Sequence, residues 1–196
     1  MEAEAAKRQV AELTNQLAGK NASLVKAADR LQALYQAGLA INSGACLPDL
    51  LDLLCQKATA ALQGQIGYIL FLDEAAGCLR IGGAAGLPAD FDRTTTIPFA
   101  SGGVSFRVIV SNRPVLVDHI DEFPEFARMS QFGYPRKSLV CAPISGQQQA
   151  IGSITVANPR DGSKYGSDDL ELLVAMAAMA SVAIRHAGPG SARQVT

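Results

Sequence analysis

The candidate nucleophiles of this 196-residue chain are the thiols of its four cysteines. A catalytic thiol needs a neighbouring base or cation that favours its thiolate form. Cys141 lies in the apolar run Leu-Val-Cys-Ala-Pro with no base beside it, so we expect a buried strand thiol with a raised pKa. Cys78 follows a predicted turn and is a candidate for exposure. The spacing of these thiols predicts no catalytic residue.

A short acidic run contains the right residue types for a metal. Asp118, His119, Asp121 and Glu122 offer carboxylates and an imidazole, the ligands that suit iron and other divalent ions, and His119 is also a candidate axial ligand for haem. The four are nearly adjacent on a predicted loop, where only some of them can converge, and polar loops of this kind are ordinarily solvated. We therefore predict no metal site, and the sequence leaves any cofactor unknown.

Composition limits the class of protein. Hydrophobic residues make up 48% and charged residues 18% of the chain, which is typical of a globular protein. The 17 Lys and Arg balance the 18 Asp and Glu without a block of like charge, so neither nucleic acid nor an anionic membrane is a predicted partner. The chain has no run of about 20 apolar residues and no signal peptide at its acidic start. Four widely spaced cysteines without a C-x-x-C pair indicate reduced thiols and the cytoplasm.

The first 42 residues have the pattern of one long helix. Apolar residues recur seven apart, and a second set lies three residues on, interrupted by Lys20: Val10, Leu17, Leu24 and Leu31, then Leu13, Ala27, Leu34 and Ile41. This a/d seam is typical of a coiled coil. The alternative is an amphipathic helix that packs on its own domain. Because the seam is longer than one small domain covers, we predict a parallel homodimer through this helix.

The remaining chain alternates strand and helix signals. A helix begins near Leu47 and ends at Gly64. It is followed by predicted strands Ile66–Asp73, Cys78–Ala85 and Thr94–Phe99, helix Val104–Val110, strands Val115–Val117, Ser138–Ser145 and Ala150–Ala157, and a helix that starts at Ser167. We predict an α+β domain with a six-stranded antiparallel sheet and helices packed on one face. The predicted division is a coiled-coil helix (1–44), a domain (45–187) and a flexible tail (188–196).

Five segments in this order resemble the GAF domain family over about Leu47–His186. They are Ser101-Gly-Gly-Val-Ser105, Ser111-Asn-Arg-Pro-Val-Leu-Val-Asp118, Phe123-Pro-Glu-Phe126, Lys137-Ser-Leu-Val-Cys-Ala-Pro-Ile144 and Ile151-Gly-Ser-Ile-Thr-Val-Ala-Asn158. Each is unspecific alone, and their order and spacing carry the resemblance. Two of their residues also have a physical interpretation: Gly152 inside a strand indicates a close backbone approach, and Pro143 indicates a strand edge or bulge.

The resemblance implies a ligand pocket between the sheet and residues 102–133. The positions that line the pocket in relatives are Tyr68, Gly103, Val104, Phe126, Gln131, Tyr134 and Thr155. Aromatic faces, free amides and a few polar groups suit a small organic ligand. The alternative is that Phe126 and Tyr134 only fill the core.

Several GAF subtypes are disfavoured by single residues. Cyclic-nucleotide relatives carry Asn-Lys, then Phe and Asp-Glu. Asn158, Tyr165 and Asp169 keep that spacing here, but Pro159 replaces the Lys and Leu170 the Glu. Bilin attachment uses a Cys beside a His, and neither histidine has such a neighbour.

The resemblance therefore implies a non-catalytic sensory or regulatory domain of bacterial-type signal transduction. It would bind a small ligand and relay its state through dimeric flanking helices to an effector such as a histidine kinase, cyclase or phosphodiesterase. Two alternatives remain open. One is a ligand-free dimerisation scaffold. The other is a Cys-based redox sensor or free-methionine sulfoxide reductase, whose motif is not matched.

Overall fold

The computed structural model of the protein describes residues 2–41, 45–88, 91–101, 103–123, 138–146 and 148–195, apart from the side chains at 2, 6 and 188–195. Its helices and strands are α1 (Glu2–Ile41), α2 (Leu47–Ala61), β1 (Gly64–Asp73), β2 (Cys78–Ala85), β3 (Thr96–Pro98), α3 (Val104–Ser111), β4 (Val115–Val117), β5 (Leu139–Ser145), β6 (Ala150–Pro159) and α4 (Ser167–Val195). Two 3₁₀ turns, Phe99–Ser101 and Ile120–Glu122, flank α3 and β4.

The described strands form one antiparallel sheet in the order β3-β2-β1-β6-β5-β4. The first and last long strands, β1 and β6, pair at its centre, for example Tyr68 opposite Thr155. The β5–β6 hairpin brings Cys141 opposite Thr155 from the other side. The predicted α+β fold with six antiparallel strands is confirmed.

Helices cover both faces of this sheet, which corrects the expectation of a single covered face. On one face α2 and α4 pack against side chains such as Ile154 and Val156. On the opposite face α3 packs on β5 and β6 and covers Cys141 and Ala157. Successive side chains of a strand point to opposite faces. In the central strands the side chains on both faces are mostly apolar, so each face of the sheet must be shielded from water.

Only part of the predicted seam on α1 faces solvent. Ala33 and Ala37 are buried against α2 and α4, and Leu34 and Ile41 pack beside them. The two C-terminal d positions of the predicted seam therefore belong to the domain's own core. Large apolar side chains on the other side of the helix are exposed: Val10, Leu13, Leu17, Leu24, Leu31, Tyr35 and Leu39.

The last helix is a core helix that runs further than the sequence predicts. Leu173, Met176, Ala177 and Ala180 are buried, whereas Val174 is 40% exposed. By length and composition alone, Ser167–Ala187 is apolar enough to cross a membrane, but 44% of that stretch is buried inside the protein. The backbone stays helical to Val195, past the Gly-Pro-Gly sequence at 188–190 where a loose tail is expected. The flexibility of 188–196 and the three-part division of the chain stay predictions.

Two local predictions from the strand sequences are confirmed. A Cβ added to Gly152 would lie 2.5 Å from the Leu70 carbonyl oxygen and 2.8 Å from the Phe71 ring, so the neighbouring strand does approach closely. Pro143 pairs with Ser153 on β6, and it lies beyond the last β4 partner of β5, Cys141. Its missing N–H therefore faces an edge of the sheet.

Candidate ligand-binding site

The candidate site is the sheet face that α3 covers. Gly103 precedes α3 with a φ of 91°, a conformation that glycine adopts without strain. This turn directs α3 across β5 and β6, where Val104 and Val108 are buried on the sheet. Asn112 ends the helix in the left-handed conformation. The local sequence therefore fixes both ends of the helix that forms the roof of the site.

Three small polar side chains connect this roof to the sheet. Thr155 donates a hydrogen bond from Oγ1 to the Cys141 sulfur at 3.1 Å. Ser105 of α3 lies above it, with 3.3 Å between its Oγ and Thr155 Oγ1. All three residues are buried. This arrangement places neutral hydrogen-bonding groups in an apolar setting, where each is worth more than in water.

Ser153 lies two residues before Thr155 and so on the same face of β6. It is fully buried, and its hydroxyl makes no hydrogen bond of ordinary distance and angle to any residue that the structure describes. Buried hydroxyls are nearly always paired, because leaving one unpaired costs about 1–3 kcal/mol. The Ser153 hydroxyl is therefore a group to which a ligand or a water molecule could bind.

The thiol in this cluster is buried, and burial favours its protonated form. Burial raises the pKa of Cys141 to about 11, although the hydroxyls of Thr155, Ser153 and Ser105 oppose the shift. Burial also raises the pKa of Cys55, on α2. Cys78 is only 6% exposed, so its predicted candidacy for exposure is wrong: it begins β2 and pairs inside the sheet. Cys46 is the exposed thiol, and it donates to the Asp49 carboxylate at 3.0 Å.

The structure brings four of the predicted lining residues to this side of the sheet. Gly103 and Val104 lie at the start of the roof and Thr155 lies in the floor. Tyr68 is 2% exposed in an adjoining apolar cluster with Leu70, Leu79, Ile97, Ile109 and Ala150. The other three, Phe126, Gln131 and Tyr134, lie outside the described residues. Ligand contact at all seven positions stays a prediction.

Sequence reasoning missed two residues of the cluster, Ser105 and Ser153. Both carried a usable signal. The period of two along β6 places 153 and 155 on one face, and a serine in an otherwise apolar strand is worth noting. Ser105 follows the first residue of α3. The resemblance implies lining roles for its neighbours Gly103 and Val104 but not for Ser105.

The acidic run does not gather into a metal site within the described residues, where no group of three His, Cys, Asp or Glu side chains comes together. Asp118 forms an exposed ion pair, with its Oδ2 3.1 Å from Lys164 Nζ. Asp121 and Glu122 lie on the 3₁₀ turn that follows.

The six-stranded antiparallel sheet and the helices on it agree with the comparison with known families. Residues 45–185 match the family described as the GAF domain. The chain belongs to the GAF domain family.

Three individual proteins are similar to it. Nitrogen fixation protein AnfA of Azotobacter vinelandii is 24% identical over 152 residues, which are 76% of this chain and 28% of AnfA. The chain thus spans less than a third of that relative. A structure of residues 122 to 287 of a methyl-accepting chemotaxis protein is 25% identical with a TM-score of 0.67, covering 77% of this chain and 96% of that one. Free methionine-R-sulfoxide reductase from Neisseria meningitidis, solved with its substrate, is 16% identical with a TM-score of 0.66, covering 85% and 92%. At that identity the likeness to the reductase concerns the fold alone.

Proposed function

We propose that this chain is a non-catalytic, cytoplasmic sensory domain that binds a small ligand under α3 and relays its state through a dimer of its α1 helices. The observation that carries the proposal is the exposed apolar stripe on α1. Leu24 and Leu31 are each 68% exposed, and a helix does not ordinarily present such a stripe to water unless a partner covers it.

The geometry of α1 explains why its own domain cannot cover this stripe. Successive residues of a helix are about 100° apart, so Leu31 points about 200° away from Ala33, which is buried on the domain. A second copy of the same helix offers the same stripe, and a parallel pair buries both. The similarity to part of a chemotaxis protein supports a role in signal transduction, with an effector such as a kinase, cyclase or phosphodiesterase as partner.

The ligand proposal rests on the hydroxyl cluster. The polar groups Ser153, Thr155 and Cys141 on this face of β5 and β6 are neutral. The Ser153 hydroxyl makes no hydrogen bond of ordinary distance and angle to a described residue. A small neutral molecule with a hydrogen-bonding group suits such a surface. The raised pKa of the buried Cys141 thiol argues against thiol chemistry at this position. Four free cysteines are consistent with a reducing cytoplasm.

A ligand-free dimerisation scaffold is the second candidate. The contacts between Ser105, Thr155 and Cys141 favour it, because they close the roof onto the floor with the protein's own side chains.

Native mass spectrometry of the protein as purified tests both parts, since it reports subunit number and bound mass together. We expect a dimer that carries a small non-covalent ligand. Monomers at tens of micromolar would refute the dimer. A thermal shift screen with neutral metabolites distinguishes the candidates: a sensor is stabilised by at least one of them, and a scaffold by none.

A further inference from the structure

The loop between β6 and α4, residues 160–166, contacts the start of β5 through Ser138. This residue directly precedes β5, is buried, and accepts a hydrogen bond at Oγ from the Tyr165 N–H at 3.4 Å. Its carbonyl oxygen accepts from the Asn158 N–H at 3.0 Å. Ser138 thus connects the start of β5 to the loop and to the end of β6.

A second contact joins the same loop to β4. Lys164 donates to the carboxylate of Asp118, which directly follows Val117. Val117 is fully buried in the apolar cluster beneath α3, together with Val104 and Cys141. A displacement of β4 therefore moves the Asp118 carboxylate, with which Lys164 forms an ion pair.

At its other end the loop reaches α1 through Asp169. The Gly166 N–H donates to Asp169 Oδ2 at 2.9 Å. The second oxygen of this carboxylate pairs with the Arg30 guanidinium and lies 3.4 Å from Lys26 Nζ. Asp169 is 9% and Arg30 17% exposed, so this pair is screened by water much less than a surface pair.

The remaining contact between α1 and the domain is incomplete. A groove of about 650 Å³ separates the helix from the C-terminal end of α2 and the 160–166 loop, lined among others by Val25, Gln32, Leu62, Asp161 and Ser163. The ion pairs of Asp169 span one end of this groove. Because the part of α1 around Val25 is not packed on the domain, a shift of Asp169 can move that part of the helix while Ala33 and Ala37 stay packed on α2 and α4.

We propose that the 160–166 loop couples the candidate ligand site to α1. Ser138 and Asp118 are its contacts to β5 and β4, which contribute Cys141 and Val117 to the apolar cluster at α3, and Asp169 is its contact to the helix. The proposal rests on the proposed function, since it names how the site would regulate the signalling helix. Coupling of this kind is reciprocal: weakening the contact at α1 loosens the loop at Ser138, and weakening the contact at Asp118 loosens α1.

Hydrogen exchange of the full chain without ligand tests this reciprocity. Arg30→Met removes the cation from Asp169, and we expect the Tyr165 amide and the amides of 139–141 to exchange about fivefold faster or more. Arg8→Met is the matched control, since it removes the same charge from an exposed position of the same helix. Arg30→Lys keeps the charge and should show a smaller change.

In the reverse direction Lys164→Met breaks the contact with Asp118, and we expect faster exchange over 30–41. Arg113→Met, an exposed cation before β4, is its control. Equal exchange in Arg30→Met and Arg8→Met at the Tyr165 and 139–141 amides would overturn the proposal, as would a Lys164→Met effect confined to the loop. Should Arg30→Met unfold the protein, the Lys164→Met arm decides alone. None of these measurements needs a ligand or a dimer, so their failure leaves the proposed function standing, and the failure of a ligand screen leaves them unaffected.

Discussion

Arg30 on α1 and Asp169 on α4 are 139 residues apart in sequence and form an ion pair with both side chains largely shielded from water. Asp169 keeps the position of the Asp in the cyclic-nucleotide motif, but Pro159 stands where that motif has a Lys. Here the cation beside Asp169 is Arg30 of α1. The Arg30 guanidinium neutralises the charge of Asp169, and this ion pair depends on the position of α1.

Breaking this pair from the acidic side should destabilise the protein. Asp169→Asn keeps an acceptor for the Gly166 N–H but leaves Arg30 without its charge partner. We expect the free energy of unfolding in urea to fall by about 3 kcal/mol, the lower end for a buried pair, because Lys26 is solvated. Asp168→Asn is the control: that side chain is 77% exposed and 3.4 Å from Arg30, and its loss should change little. Equal effects of the two substitutions would show that the contact does not stabilise the fold.

Introducing a charge into the exposed stripe should weaken the proposed dimer without unfolding the domain. Leu17→Lys places an ammonium group in the predicted seam of both helices. We expect the dissociation constant, measured by analytical ultracentrifugation, to rise about 100-fold. Asn15→Lys adds the same charge on the other side of the same turn and should leave the constant nearly unchanged. A wild-type protein that is monomeric, or an Asn15→Lys effect as large as that of Leu17→Lys, would contradict the seam.

Most of the fold follows from local patterns in the sequence. The strand signal in 150–157, after the polar bend that ends the preceding strand, and the seven-residue repeat in 10–31 predicted β6 and α1 with nearly correct bounds. The sequence did not reveal that helices cover both sheet faces, because two apolar sets in one strand look like a single buried run. It also did not reveal that Leu34 and Ile41 turn toward the domain, since an apolar d position packs equally well on a partner or on its own core.

The site was less predictable than the fold. Thr155 and Val104 were placed by resemblance, and the structure locates them together. Ser153 and Ser105 needed knowledge of which strand face meets α3. The Arg30–Asp169 pair joins two ends of the chain, and no local pattern reports such a contact. Local sequence patterns therefore do not predict the contacts that are determined by tertiary packing.

Removing either of the two hydroxyls on β6 should affect the free energy of unfolding differently. Thr155→Val deletes the hydrogen bond to Cys141 and the contact with Ser105, and we expect a loss of about 1–2 kcal/mol in unfolding free energy. Ser153→Ala deletes a hydroxyl that makes no hydrogen bond of ordinary distance and angle to a described residue, so stability should stay the same or rise slightly. Urea denaturation of both variants against wild type is the measurement. A loss for Ser153→Ala as large as that for Thr155→Val would mean that the hydroxyl is satisfied in the native protein.

The buried thiol predicts a specific loss of stability in alkali. A thiol gains charge when it loses its proton, and burial raises the pKa of Cys141 from about 9 to about 11. Below pH 9 both the native and the unfolded chain hold the proton, so the thiol adds no pH dependence. Between pH 9 and pH 11 the unfolded chain releases it while the native chain does not, and the free energy of unfolding falls by about 1.4 kcal/mol for each pH unit. Cys141→Ser removes this contribution, so the difference in unfolding free energy between wild type and variant should shrink from pH 8.5 to pH 10.5. Other alkaline groups, among them Cys55 and Tyr165, are present in both proteins and cancel in the comparison. A difference that stays constant with pH would show that Cys141 ionises as a solvated thiol does, and the case against thiol chemistry at this site would be lost.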